Sequence, residues 1–316
     1  MEATRIGVIG MGKMGTYHLQ KYHEIEACTV VGIVDVDENC VNGAAEGYGC
    51  ATHTDHRDLI GKVDAVSIAV PTSDHCRTAK DFLANGIDVL LEKPIAATLA
   101  EADEMLRLSK EHEAILQIGF IERFNPAIAA LADFLEKPLF IESHRLHPFF
   151  SRGTDVDVVL DLMIHDLDII LHFVNSPVSQ VDATGISVLS DEIDIANARI
   201  TFENGCVANV TASRVTNKVM QKMRFFSQQG YNSVDFAKRE LTSLHRRFDE
   251  QGKPVIGQNP VSIKTCDPLE DEIRSFVQAV RTRQQPVVTG EDGRASLELS
   301  LEIINRMNEN LGNLKL

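Results

Sequence analysis

In "DVVLDLMIHDLDIILH" (157–172), Asp161 and His165 stand four residues apart in a segment otherwise filled with aliphatic side chains. On a helix, residues at i and i+4 are neighbours, so the carboxylate can orient the imidazole as a general base. At about 100° per residue, Asp157, Asp161, His165, Asp168 and His172 fall within about 80° of arc, with Asp166 opposite. That stripe holds none of the long Lys, Arg, Glu or Gln side chains that clothe a wet face. Short Asp and His side chains suit a cleft against which a small molecule lies. The expectation is a largely buried helix with one polar stripe, in which Asp161 and His165 do proton chemistry. Asp157, Asp168 and His172 share it without an assigned role.

A second set of residues can hold an anion. "GMGKMG" places Gly10, Gly12 and Gly15 in the pattern G-x-G-x-x-G, directly after the apolar run "TRIGVI" (4–9) and before a helical pattern from about Met14 to Glu24. A second apolar run, "CTVVGIVD", ends at Asp35, 20 residues beyond Gly15. Strand, glycine turn, helix, strand and acid together form the fingerprint of dinucleotide binding. Gly10 permits the tight turn, Gly12 lets backbone approach a pyrophosphate, and Gly15 allows close helix packing. The helix start offers N–H groups to the phosphates. Asp35 is suited to the adenosine ribose hydroxyls, and "VDVDEN" has no arginine for a 2′-phosphate, which favours NAD over NADP. The cofactor set read from these segments is Gly10, Met11, Gly12, Lys13, Met14, Gly15, Asp35, Pro71, Thr72, His75, Glu92 and Lys93.

Lys93 closes "GIDVLLEKP" (86–94), where Pro94 restricts the lysine to extended backbone. A positioned ammonium there can donate to a reacting oxygen. Burial and a neighbouring nicotinamide cation would lower its pKa. A solvated loop lysine fits the same residues equally well.

These groups need a scaffold. "DAVSIAVPT" (64–72), "GIDVLLEKP" and "AILQIGF" (114–120) read as further strands, with helices from near Asp74 and over 98–112. Strands alternating with helices imply a doubly wound parallel sheet, whose ligands bind beyond the C-terminal strand ends. After Phe120 the pattern changes. A helix over 126–137 and a strand in "PLFIESHRLHPF" precede the polar-striped helix. Segments of strand character follow: "QVDATGISVLS", "DIANARITFENGCVANVTASRV", "QKMRFFSQQGYNSVDF" and "PVSIKT". Asn204-Gly205 marks a tight hairpin. Two helices, 268–283 and 292–311, end the chain. The expected fold is α/β, with an N-terminal doubly wound Rossmann domain (1–120) and a C-terminal α+β domain (121–316) built on an open, mostly antiparallel sheet.

The chain has 316 residues and a formal net charge of −15, which argues against nucleic-acid or anionic-membrane partners. No apolar run reaches membrane-spanning length and "MEATRIGVIG" has no signal-peptide pattern, so a cytoplasmic protein is expected. Six scattered cysteines read as free thiols. His144 and His147, three apart on a strand, face opposite sides and make a poor chelate, so no metal is expected.

The glycine turn, E-K-P after the fifth strand and D-x-x-x-H on a later helix resemble the glucose–fructose oxidoreductase/inositol dehydrogenase (Gfo/Idh/MocA) family. The resemblance extends to "GEDGRASLELSLEI" near the end. It implies NAD(P)-linked oxidation of a sugar or cyclitol carbon, and a homodimer or homotetramer packed through the C-terminal sheet. Lys93, Asp161 and His165 match the family's catalytic positions. His165 would take the hydroxyl proton, Lys93 would stabilise the alkoxide, and hydride would pass to nicotinamide. "IERFNP" (121–126) and "RLHPFFSRGTDVDVVLDLMIHDLDI" (145–169) are similar to the branch acting on nucleotide-linked sugars, notably UDP-N-acetylglucosamine 3-dehydrogenases. That likeness implies substrate contacts from Lys93, Arg123, Asn125, Arg145, Arg152, Asp161 and His165, with the arginines receiving a diphosphate. Asp157 departs from the pattern, standing where family members often have glycine. A free sugar or inositol as substrate, glycoside cleavage through a transient 3-keto sugar with no net NADH, and a non-catalytic NAD-binding regulator are the alternatives.

Overall fold

Thr4–Ile9 forms β1, followed by α1 (Lys13–His23), β2 (Cys28–Val34), α2 (Glu38–Ala45) and β3 (Ala51–His53). The chain continues through β4 (Ala65–Ile68), α3 (Thr72–Leu83), β5 (Asp88–Glu92), α4 (Leu99–Glu111) and β6 (Leu116–Gly119). The strands pair in parallel in the order β3-β2-β1-β4-β5-β6. This is the doubly wound order of dinucleotide-binding domains, and its crevice opens between β1 and β4, where the strand order reverses. Their residues are almost wholly buried, as runs without polar alternation require in a sheet covered on both faces. The short α2 and β3 were not legible in the sequence.

This computed structural model describes residues 2–45, 47–149 and 157–313. Two units emerge, Met1–Ile121 with Asp267–Leu297, and Glu122–Cys266 with Glu298–Leu316. The first unit thus takes in a late segment of the chain as well as the first 121 residues. α7 (Pro268–Thr282) returns to the first unit because Leu269, Ile273, Phe276 and Val277 pack with Ile6, Val8, Leu19 and Tyr22. Asp267 caps α7 and also meets Lys21 of α1 at 2.9 Å.

In the second unit, α5 (Pro126–Leu131) precedes β7 (Phe140–Leu146), and a π-turn (Val159–Met163) leads into α6 (Ile164–Val174). Then come β8 (Val178–Ile186), β9 (Ile195–Phe202), β10 (Val207–Ser213), β11 (Met220–Phe226), β12 (Gly230–Asp235), β13 (Glu240–Phe248) and β14 (Pro254–Gln258). They form one sheet, β14-β13-β12-β11-β7-β10-β9-β8, in which only β7 and β10 pair in parallel. Alternate residues of β9 and β10 are buried and meet Leu167, Ile170 and Val174 of α6. Leu299, Ile303 and Met307 of α8 (Gly290–Asn313) join the same core. Gly205, at φ +86°, makes the β9–β10 hairpin as expected. Two readings fail. The helix expected over 126–137 ends at Leu131, where the chain tightens into turns. "PVSIKT" is irregular, and the last strands are β13 and β14. No helix among the described residues is long and apolar enough to cross a membrane.

Candidate active site

The first unit builds a cradle at the C-terminal ends of β1, β2 and β4. Gly10 sits at φ +87°, and a Cβ there would come within 2.6 Å of the Ala69 carbonyl oxygen. A Cβ on Gly15 would lie 1.7 Å from the Gly10 carbonyl oxygen, so the start of α1 packs directly on the turn. Gly12 is different: its missing Cβ would meet nothing within 4 Å. Glycine there leaves open space above exposed backbone, which is what a pyrophosphate needs.

Two helix starts flank this opening. Gly12 precedes α1 and Pro71 precedes α3, and neither supplies a side-chain cap. Elsewhere the chain caps its helices: Thr98 and Glu101 form a capping box on α4, and Asp267 caps α7. Uncapped N–H groups at the β1/β4 crevice fit an anion. Asp35 closes the cradle. Its carboxylate accepts from Met11 N–H at 2.6 Å and Asp37 N–H at 3.0 Å. That occupies about two of the roughly four acceptor positions of a carboxylate and leaves capacity for ribose hydroxyls. Lys13 reaches over the Tyr17 ring, 5.8 Å from its centroid, while Met11 is buried and Met14 and Thr72 half-buried. The residues present fit a dinucleotide.

His75 departs from expectation. It is buried, with Nδ1 2.8 Å from the Pro94 carbonyl oxygen and Nε2 3.0 Å from that of Val70. Burial holds its pKa below the ordinary histidine value. It lies between Val70 and the E-K-P loop, and a neutral ring donates to only one of these two carbonyls. Lys93 and Glu92 are half-buried at the end of β5, and the Lys93–Pro94 peptide is cis.

In the second unit, Asp161 and His165 lie on one continuous helical segment whose first part is a π-turn. The Ile164 N–H bonds to the carbonyl of Val159, five residues back. Such wide turns inside helices recur at functional sites. Asp161 and His165 are both half-buried. Asp157 caps the segment by accepting from Val159 N–H at 2.8 Å. Burial, with the charge of Glu192 added, pushes its carboxyl up to about 6, against the Val159 hydrogen bond and Arg214.

The single polar stripe is not what the fold makes of this segment. Asp168 is buried against Arg123, with Nε–Oδ2 at 2.6 Å and Nη2–Oδ1 at 2.9 Å. Asp166, on the opposite side of the wheel, is buried against Arg145 at 2.8 Å, and Arg145 also meets Glu122 at 3.0 Å. His172 is exposed. Of the six ionisable residues from Asp157 to His172, only Asp161 and His165 keep intermediate exposure.

The same contacts involve residues of the expected substrate set. Arg123 and Arg145 face buried carboxylates, which neutralise the positive charge expected to receive a diphosphate. Asn125 caps α5 through Ala127 N–H at 3.1 Å, and its amide donates to Glu122 and the Phe236 carbonyl. Arg152 lies outside the described residues. Sequence reasoning missed His18, a buried histidine of α1 that contacts Glu92. Its position three residues after Gly15 was the available signal. Among the described residues no group of three or more His, Cys, Asp or Glu could hold a metal ion.

Comparison with known proteins agrees with these two halves. Residues 4–120 match the family described as "Oxidoreductase family, NAD-binding Rossmann fold", and residues 137–231 match the GFO/IDH/MocA C-terminal domain. A UDP-N-acetylglucosamine 3-dehydrogenase from Acidithiobacillus ferrooxidans is 36% identical over 301 residues, covering 95% of this chain and 96% of the relative. A solved structure of that enzyme superposes with a TM-score of 0.90 at 35% identity, covering 97% of this chain and 98% of the other. The myo-inositol 2-dehydrogenase of Thermotoga maritima is 28% identical, with 93% of each chain covered.

Proposed function

This chain belongs to the GFO/IDH/MocA family of oxidoreductases with an NAD-binding Rossmann fold, and on that premise we propose that it oxidises the 3-hydroxyl of a UDP-linked N-acetylamino sugar. In this reading His165 takes the hydroxyl proton, and Asp161 orients the imidazole and favours its cationic form. Lys93 donates to the substrate oxygen as negative charge grows there, a contribution of about 3 kcal/mol to lowering the barrier. Bound NAD supplies the nicotinamide carbon that accepts the hydride. The glycine turn and the start of α1 hold its pyrophosphate, and Asp35 holds its adenosine ribose.

The observation that carries the chemistry is the contrast within one helical segment. Asp166 and Asp168 are neutralised by buried arginines, whereas Asp161 and His165 stay half-buried. The substrate part rests on similarity to the UDP-N-acetylglucosamine enzyme, which exceeds that to the inositol dehydrogenase described above. Incubation with UDP-N-acetylglucosamine and NAD tests it: NADH and a 3-keto sugar are expected, and their absence with binding also absent refutes the substrate assignment.

A free sugar or inositol is the second reading. The observation in its favour is that Arg123 and Arg145 are engaged by Asp168, Asp166 and Glu122, leaving a diphosphate fewer cations. Turnover of myo-inositol with indifference to UDP distinguishes it. The reading also includes a cytoplasmic location, consistent with six free cysteines. Two or four copies would associate through the eight-stranded sheet, whose edge strand β14 exposes Val255 and Ile256. Light scattering on the purified protein measures that.

A further inference from the structure

His18 joins a chain of contacts that the proposed chemistry leaves unused. It has no exposed surface, and its Nδ1 is 2.6 Å from Ser67 Oγ on β4. Its Nε2 is 3.1 Å from Glu92 Oε1 at the end of β5. The other oxygen of Glu92, Oε2, accepts the backbone N–H of Lys93 at 3.3 Å. Serine, histidine and carboxylate in series have the composition of a nucleophilic triad. Ser67 is wholly buried on an inner strand, however, so no substrate carbonyl can reach it.

The polarity of this chain follows from its acceptor end. An ionised carboxylate only accepts, so towards Glu92 the ring donates from Nε2, while Nδ1 faces the Ser67 hydroxyl. Glu272 of α7 is wholly buried, and neither of its carboxyl oxygens has a hydrogen-bond partner among the described residues. Burial, reinforced by the charge of Glu92, raises its pKa well above the ordinary value. Gly119 faces Glu92 across the β5–β6 pair, and a Cβ there would come 3.2 Å from the Glu92 Cδ. The Glu92 side chain is thus held by His18, by the Lys93 amide and by the β6 backbone.

We propose that His18 is a positioning residue for Lys93. It fixes the carboxylate of Glu92, whose second oxygen holds the Lys93 amide, and so ties the helix after the glycine turn to the E-K-P loop. The claim rests on the reading of Lys93 as the hydrogen-bond donor to substrate.

The test uses the full chain with its lysines labelled by reductive 13C-methylation, the Lys93 resonance being identified by its loss in Lys93→Arg. His18→Leu is expected to shift or broaden that resonance and to lower kcat by about 10–100-fold, with KM values changed far less. His18→Gln, which keeps an N–H donor towards Glu92, is expected to restore the resonance and most of the activity. If Glu92 mediates the effect, His18→Leu adds nothing to Glu92→Gln in kcat, because the two changes break one chain. Should His18→Leu fail to fold, Ser67→Ala removes the far end and is expected to move the same resonance in smaller measure. An unmoved Lys93 resonance, or fully additive losses in the double variant, overturns the proposal. Full turnover by Lys93→Met overturns instead the catalytic reading of Lys93, while the resonance still decides the role of His18.

Discussion

Arg123 holds Asp168 in a buried two-point ion pair, Nε to Oδ2 at 2.6 Å and Nη2 to Oδ1 at 2.9 Å. The two residues are 45 apart in sequence, and the pair locks α6 to the segment before α5. Removing one partner strands a buried charge, at a cost of about 3–5 kcal/mol. Asp168→Ala should therefore lower the melting temperature by on the order of 10 °C. Calorimetry measures it, and a loss of activity at unchanged stability would assign Asp168 to the chemistry instead.

The proposed proton-transfer pair, Asp161 and His165, makes a graded prediction. His165→Asn should lower kcat by about 10²–10⁴-fold, the usual contribution of a general base. Asp161→Asn should cost less, because the imidazole remains. NADH binding, followed by its fluorescence, should be unchanged in both, since the glycine turn and Asp35 belong to the other unit. Full activity in His165→Asn would end the enzymatic account.

Between Asp161 and His165 the helix changes from π to α. Deleting Leu160 should let a regular α-helix form and rotate Asp161 relative to Asp157 by about 100°. The expected outcome is at least about a 100-fold loss of kcat, with NADH affinity retained. Retained activity would show that the π-turn is incidental.

Asp35, next to the exposed Val36, is the residue proposed to favour NAD. Replacing Asp35 by Ser and Val36 by Arg should move the ratio of kcat/KM values towards NADP by about 10–100-fold, from lost charge-assisted hydrogen bonds to the ribose and gained contacts to a 2′-phosphate. Steady-state kinetics with both cofactors measure the ratio.

Asp157 supplies a pH prediction. Its folded carboxyl is pushed up to about 6, whereas an unfolded aspartate titrates near 3.9. Between those values the folded chain keeps a proton that the unfolded chain has released, so stability falls as pH rises through this window and stays reduced above it. A shift of about two units corresponds to up to roughly 3 kcal/mol. Asp157→Asn keeps a good cap and cannot ionise. It should be more stable than the parent at pH 8 and equal to it near pH 4 in urea unfolding. Equal differences at both pH values would contradict the assignment.

Much of this was legible in the residues because it depends on local rules. Glycines at 10 and 15 after an apolar run mark a turn whose backbone packs too closely for a Cβ, and the parallel strands show as unbroken aliphatic runs. Asp35 directly follows β2, where its carboxylate accepts the Met11 amide. Asp161 and His165 were visible as a spacing.

What the sequence by itself determined, then, is the fold class, the glycine turn before α1 and the helical spacing of Asp161 and His165. Tertiary structure decided which other charges accompany them. A helical wheel assumes an unbroken α-helix and knows nothing of partners far along the chain. Here the helix opens with a π-turn, and Arg123 and Arg145 claim Asp168 and Asp166 inside the protein. The same holds for α7, whose apolar face named no partner until it packed on β1 and α1. Long-range contacts assign each ionisable side chain to the interior or to the site, because a buried charge persists only where another element supplies its counter-charge.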